Sequence, residues 1–208
     1  MIPPMAMPFD TRAADISWLT DTLATGGDLQ ADHQLAALQC ADLVRQGVTH
    51  VIDCRLEFDD RARMQRFAPS ISYARFGVDD ERGAEHTDDW WESIYTTAQE
   101  ALTVPGARLF VHCHVGMNRG PSAAFMLLCS PLFGLSVADA FQLVRRRRHI
   151  AYMAYAEQAV SWLADQSWSS VEKSDILTLT ELRLKPTHQW TDALTNEVNY
   201  RSNRKAPR

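Results

Sequence analysis

Along the first half of the chain, segments with a helical apolar period alternate with short apolar runs of strand character. Trp18 to Gly27 (WLTDTLATGG) is a short apolar piece closed by a glycine pair, and predicts a strand and a turn. Asp32 is placed to cap a helix in which Ala36, Cys40, Leu43 and Val44 recur at helical spacing. Gly47 stands where a left-handed helix stop is expected. Val48 to Cys54 (VTHVIDC) reads as a strand, and a polar, arginine-rich connection leads to a second one, Ile71 to Val78 (ISYARFGV). From Asp79 to Asp89 the residues carry no apolar period, so this stretch reads as an acidic loop of the kind that often holds function.

Trp91, Ile94, Tyr95, Ala98 and Leu102 make one apolar helical face, and Arg108 to Cys113 (RLFVHC) fits a fully buried central strand. The alternation predicts an α/β fold: a central, mostly parallel sheet flanked by helices. No charge occurs from Gly120 to Ala138, but Ser130, Pro131, Gly134 and Ser136 divide the run, which therefore reads as a buried helix and a turn rather than a membrane span. Ser136 with Asp139 resembles a capping box for a helix whose buried stripe is Val137, Phe141 and Val144 and whose end is Arg145 to Arg148. A last helix is expected over Tyr152 to Ala164. Beyond Trp168 the pattern weakens: DILTLTELRLKP fits a strand or a short amphipathic helix, and RSNRKAPR reads as a frayed basic tail. The expected organisation is an N-terminal arm (1–15), one domain (16–168) and a C-terminal extension (169–208).

Composition narrows the functional classes. With 21 Lys+Arg against 26 Asp+Glu, a formal charge of −5 and 46% hydrophobic residues, the chain is neither disordered nor a general polyanion binder. A small phosphate pocket needs only a few local donors and remains compatible with this balance. Cys40, Cys54, Cys113 and Cys129 are dispersed without a CxxC pair, so no zinc ribbon or thioredoxin motif is written, and a reducing, cytoplasmic compartment is expected. The first residues lack both a basic n-region and an apolar h-region, so export is not expected.

The chemistry concentrates in Val111 to Ser122 (VHCHVGMNRGPS), where a thiol and a guanidinium stand either side of five residues between a buried strand and a helix start. Such a junction turns successive backbone N–H groups and the positive end of the helix dipole into one concavity, which suits a tetrahedral dianion. Gly116 permits the tight turn. The same field stabilises a thiolate, making Cys113 the expected nucleophile, while Arg119 can hold two phosphate oxygens bidentately.

HCHVGMNRG resembles the HCxxGxxR phosphate loop of the cysteine-dependent protein tyrosine phosphatases, most of all their compact dual-specificity branch. The likeness runs from about Ile16 to Leu163 and includes LATGG, VTHVIDCR, the acidic loop and the region from Arg147 to Gln158. The resemblance implies a protein tyrosine phosphatase-like fold and a phosphocysteine intermediate on Cys113. It implies phosphoryl binding by Arg119 and the loop of His114, Val115, Gly116, Met117 and Asn118. Asp80 matches the family's general acid and base, with adjacent Asp79 as the rival. His112 would support the loop by hydrogen bonds beneath it. No metal or cofactor is needed, and a phosphorylated protein or a small phosphomonoester is the implied substrate.

The family usually carries Ser or Thr directly after the arginine, where this chain has Gly120; Ser122 comes two residues later. Loss of that hydroxyl predicts slow breakdown and accumulation of phosphocysteine, unless His114 or Asn118 supplies the missing hydrogen bond. A phosphate-binding pseudo-enzyme with negligible turnover is the alternative from another class. Asn118 and His114 also resemble features of RNA 5′-triphosphatase loops, although with only Arg145 to Arg148 as a basic cluster nucleic acid ranks below protein. The loop lacks the lysines of phosphoinositide 3-phosphatases, while Arg147 or Arg148 is placed to approach the pocket rim. In some relatives a cysteine near Cys54 forms a reversible disulfide with the nucleophile; a small buried hydrophobe is the plainer reading.

Overall fold

The computed structural model describes residues 12–81 and 84–184, so most of the expected N-terminal arm and the RSNRKAPR tail lie outside the described residues. Strands β1 (Ile16–Trp18) and β2 (Leu23–Gly26) form an antiparallel hairpin within the apolar piece that opens the pattern. Helix α1 (His33–Arg45) is capped by Asp32, whose carboxylate accepts from the N–H groups of Gln34 and Leu35, and Gly47 follows its end at φ 78°. Then come β3 (His50–Arg55), α2 (Arg61–Phe67), β4 (Ser72–Val78), α3 (Asp88–Leu102) and β5 (Leu109–His112). The chain continues through α4 (Arg119–Cys129), α5 (Val137–Arg147), α6 (Ala156–Ala164) and α7 (Asp175–Leu184).

The five strands lie in the order β1-β2-β5-β3-β4, with every pair parallel except β1 and β2. Alternation along the strands splits the interior into two apolar layers. Leu109, Val111 and Cys113 join the layer with α3 to α7, whereas Phe110 joins Ala24, Val51 and the buried sides of α1 and α2. Every residue of α4 is buried, as the uncharged run requires. The expected mixed α/β architecture is therefore present, with β5 at its centre.

Some expectations need correction. The arginine-rich connection contains α2, a two-turn helix with Met64 as its buried residue, too short and too charged to show a period. Val44 is 43% exposed rather than part of the buried face of α1. Helix α6 begins at Ala156, not Tyr152, because the intervening chain turns back onto the phosphate loop. The segment after Trp168 is helical: Leu179 is fully buried on α7 and Val171 is buried ahead of it, so the C-terminal extension contributes to the same core.

Candidate active site

The loop from Cys113 to Arg119 leaves the end of β5 and enters α4 without a break. Gly116 has φ 73°, and an added Cβ would lie 2.4 Å from the carbonyl carbon of Gly26 and 2.3 Å from an Arg148 nitrogen, so this turn is open only to glycine. Arg148, 3% exposed, runs beneath the loop. Its Nε and Nη2 donate to the carbonyls of Gly116 (2.5 Å) and Val115 (2.9 Å), and two nitrogens pair with Asp15. With the carbonyls tied downward, the intervening amide groups are left to face the other way. Of the two candidate arginines, then, Arg148 braces the loop from below, while Arg147 is exposed.

Cys113 is 1% exposed at the floor, and its N–H donates to the Gly26 carbonyl at 3.4 Å. Arg119 is equally buried, at 1%. Its Nη1 and Nη2 each donate to an oxygen of Glu57 at 2.7 Å, and Nη1 also donates to the Val78 carbonyl at 2.8 Å. Its Nε lies 3.4 Å from Asp80 Oδ2, outside hydrogen-bond geometry, and has no hydrogen-bond partner. One edge of the guanidinium is thus fixed by Glu57, and the buried Nε faces Asp80 without a hydrogen bond. Burial alone would raise the Glu57 carboxyl, but the hydrogen bonds from Arg119 hold it down at about 2.

Asp80, rather than Asp79, is the acid-loop carboxylate beside Arg119. Its Oδ1 accepts from the Tyr155 hydroxyl at 2.8 Å, whereas Asp79 accepts from the Asp80 N–H; both residues are exposed. Burial first, and then the bond to Asp80, raise Tyr155 above its usual range and keep it a donor. Gln158 clamps the same loop, accepting from the His86 N–H at 3.0 Å and donating to the Ala84 carbonyl at 2.7 Å. The His86 ring packs on Trp90 and Tyr155, and Trp90 Nε1 donates to the Phe76 carbonyl. Asp80, Glu81, Met117, Asn118, Tyr152 and Tyr155 line a cleft of about 460 Å³ beside the loop.

The supporting residues divide. His112 stacks on Phe110, with Nδ1 3.4 Å from the Cys113 carbonyl and Nε2 3.8 Å from Asp53, and burial lowers its pKa. His114 turns Nδ1 to Asp28 at 2.7 Å, and burial lowers it too. Asn118 keeps a buried Oδ1 without a hydrogen-bond partner. Ser122 Oγ accepts from the Tyr155 N–H, so it joins α4 to the turn ahead of α6. At Gly120 an added Cβ would lie 2.8 Å from the His112 carbonyl carbon and 2.9 Å from the Cys113 nitrogen: the helix start is pressed against the end of β5. Cys54 and Cys113 follow the paired residues Asp53 and His112 on adjacent strands. Burial, and next the charge of Cys113, push the Cys54 thiol well up.

Beneath His114 lies a buried cluster. Arg55 pairs with Asp28 (3.0 Å), Asp53 (2.5 Å) and Asp60 (2.6 Å), and the Tyr73 hydroxyl donates to Asp53. Sequence reasoning missed Glu57, Tyr155 and this cluster, and placed Arg148 at the pocket rim rather than on the loop carbonyls. The one local signal was a carboxylate two residues past the end of β3. Among the described residues, no group of three or more His, Cys, Asp and Glu is arranged to hold a metal ion, and no helix is long and apolar enough to cross a membrane.

The fold is that of the cysteine-dependent protein tyrosine phosphatases. Among solved structures, human DUSP28 matches with a TM-score of 0.57 and 24% identity, covering 71% of this chain and 92% of that one. The human tyrosine phosphatase-like serine/threonine/tyrosine-interacting protein matches with a TM-score of 0.55 and 16% identity, over 71% of this chain and 94% of that one. In sequence the chain resembles a dual-specificity phosphatase: it is 26% identical over 121 residues to dual specificity protein phosphatase 13B of Homo sapiens. That alignment covers 55% of this chain and 58% of the relative's length. No protein-family model matches the chain.

Proposed function

We propose that the protein is a phosphatase that hydrolyses phosphomonoesters, phosphotyrosine and phosphoserine or phosphothreonine in proteins among them, through a phosphocysteine on Cys113. The observation that carries this reading is the convergence of three groups from separate elements: Cys113 at the loop floor, Arg119 with a buried Nε that makes no hydrogen bond, and Asp80 3.4 Å from that nitrogen. Cys113 Sγ attacks phosphorus while Asp80 delivers a proton to the leaving oxygen. Arg119 and the loop amides hold the equatorial oxygens as charge redistributes. Water then attacks the phosphocysteine, Asp80 takes its proton, and inorganic phosphate and the thiolate are released. Glu57 fixes the guanidinium plane for this work, which makes it a positioning residue.

The test is rapid-quench hydrolysis of an aryl phosphate. A stoichiometric burst is expected, abolished in Cys113→Ser. Asp80→Ala is expected to slow the burst itself by about 10²-fold or more, the usual contribution of general acid catalysis.

A second reading, a phosphate-binding protein with negligible turnover, is favoured by Gly120, which supplies no hydroxyl to assist thiolate departure. Phosphate binding in the wild type without burst or turnover would establish it and overturn the catalytic assignment.

A further inference from the structure

Helix α7 reaches the site through Arg183. The Arg183 guanidinium donates from Nη1 to the Tyr152 carbonyl (2.8 Å) and from Nη2 to the Met153 carbonyl (2.6 Å). It pairs with both oxygens of Glu157 on α6, at 2.6 and 3.1 Å, and lies 5.4 and 5.0 Å from the ring centres of Phe141 and Tyr152. Two of its four hydrogen bonds thus go to a turn 30 residues away and two to α6, while fully buried Leu179 anchors α7 in the core.

That turn is unusual. Met153 is fully buried with φ 56°, the only positive value outside glycine among the described residues. Side chains adopt this conformation only where their surroundings over-determine it. Here the N–H groups of Tyr152 and Met153 both donate to the Met117 carbonyl in the phosphate loop, at 2.9 and 3.1 Å. The carbonyls of the same two residues go to Arg183. Two residues later, Tyr155 donates its N–H to Ser122 on α4 and its hydroxyl to Asp80. The turn is therefore held between the phosphate loop and Arg183, and it carries the tyrosine that holds Asp80.

We propose that Arg183 is a positioning residue for Asp80, acting through the Met153 turn and Tyr155; the proposal rests on the phosphatase reading above. Without the guanidinium, the Tyr152 carbonyl loses its donor and the Met153 carbonyl keeps only the Ala156 N–H, so a turn in an unfavoured conformation loses two of its ties and relaxes toward ordinary backbone angles. Tyr155 moves with it. A displacement of about 1 Å in a proton-transfer group is enough to cost a large part of its effect.

The test compares the full-length wild type, Arg183→Ala and Arg183→Lys on 4-nitrophenyl phosphate, whose leaving group needs little protonation, and on phenyl phosphate, whose leaving group needs much more. The measured quantity is the rate of the pre-steady-state burst across pH, with melting temperature recorded alongside. In Arg183→Ala, phenyl phosphate is expected to lose roughly tenfold more than 4-nitrophenyl phosphate, a fraction of the 10²-fold or more that general acid catalysis supplies. The alkaline limb of the phenyl phosphate profile is expected to move. Arg183→Lys, able to satisfy one carbonyl, is expected to fall between. Equal losses on the two substrates, or a lowered melting temperature with the ratio unchanged, would overturn the proposal. If Arg183→Ala does not fold, a wild-type ratio in Arg183→Lys overturns it. A wild type without Cys113-dependent turnover overturns the phosphatase reading instead, and this proposal with it.

Discussion

Position 120 separates what a motif suggests from what the backbone permits. Restoring a hydroxyl by Gly120→Ser looks like a repair, yet its Cβ would lie 2.8 Å from the His112 carbonyl carbon. The expected outcome is a displaced Cys113, a loss of about 1–3 kcal/mol of stability from overpacking, and lower rather than higher turnover. Thermal unfolding together with burst kinetics checks this. Asp53 makes a second residue-scale case. Burial pushes its carboxyl upward, but the charge of His112 and the bonds from Arg55 hold it at about 2, below the ordinary 3.8. A depressed carboxyl contributes stability that is present above about pH 4 and is lost as pH falls through 2. Asp53→Asn should cost about 3 kcal/mol at pH 7, because it removes one partner of a buried ion pair, and the difference from wild type should shrink toward pH 2. Urea unfolding at both ends of that range measures it.

At the scale of elements, the register of β3 with β5 pairs Asp53 with His112, each one residue ahead of a cysteine, Cys54 and Cys113. Neighbouring strands lie about 4.8 Å apart, within the roughly 4.4–6.8 Å between Cα atoms that a disulfide spans. Mild peroxide is expected to oxidise the Cys113 sulfur to a sulfenic acid, which the Cys54 thiol converts to a disulfide with release of water. Mass spectrometry after peroxide, and recovery of activity with dithiothreitol, check it: Cys54→Ser should lose recovery as the sulfenic acid passes to the sulfinic state. Much of this layer is legible in the chain. Asp32 and Ser136 cap α1 and α5, apolar runs mark β3 to β5, and the strand-loop-helix junction is continuous in sequence. What escapes notice lacks a local signature. Helix α2 buries too little to show a period, and the alternating leucines and threonines of α7 imitate a strand. Tyr155 and Glu57 meet the site only through tertiary contacts, 75 and 62 positions from their partners.

For the whole molecule, the boundary expected at residue 168 does not coincide with the edge of the core. Leu179 is fully buried in the same core layer as β5 and the helices that back it, and α7 packs on α5 and α6. Leu179→Ala should cost about 2–5 kcal/mol, the range for large-to-small changes in a core, visible as a lowered urea midpoint. Deletion of residues 169–208 should leave a domain with exposed apolar surface that binds a hydrophobic dye.

The sheet order has a consequence for synthesis. Strand β2 finds its parallel neighbour in β5, on the order of eighty residues further along the chain. At ~5–20 residues per second, the emerging hairpin waits roughly 4–16 s with its inner edge unpaired, the period in which a nascent strand is most open to pairing with another chain. Holding that edge apart until Leu109 to His112 arrives is a natural task for a chaperone at the ribosome exit.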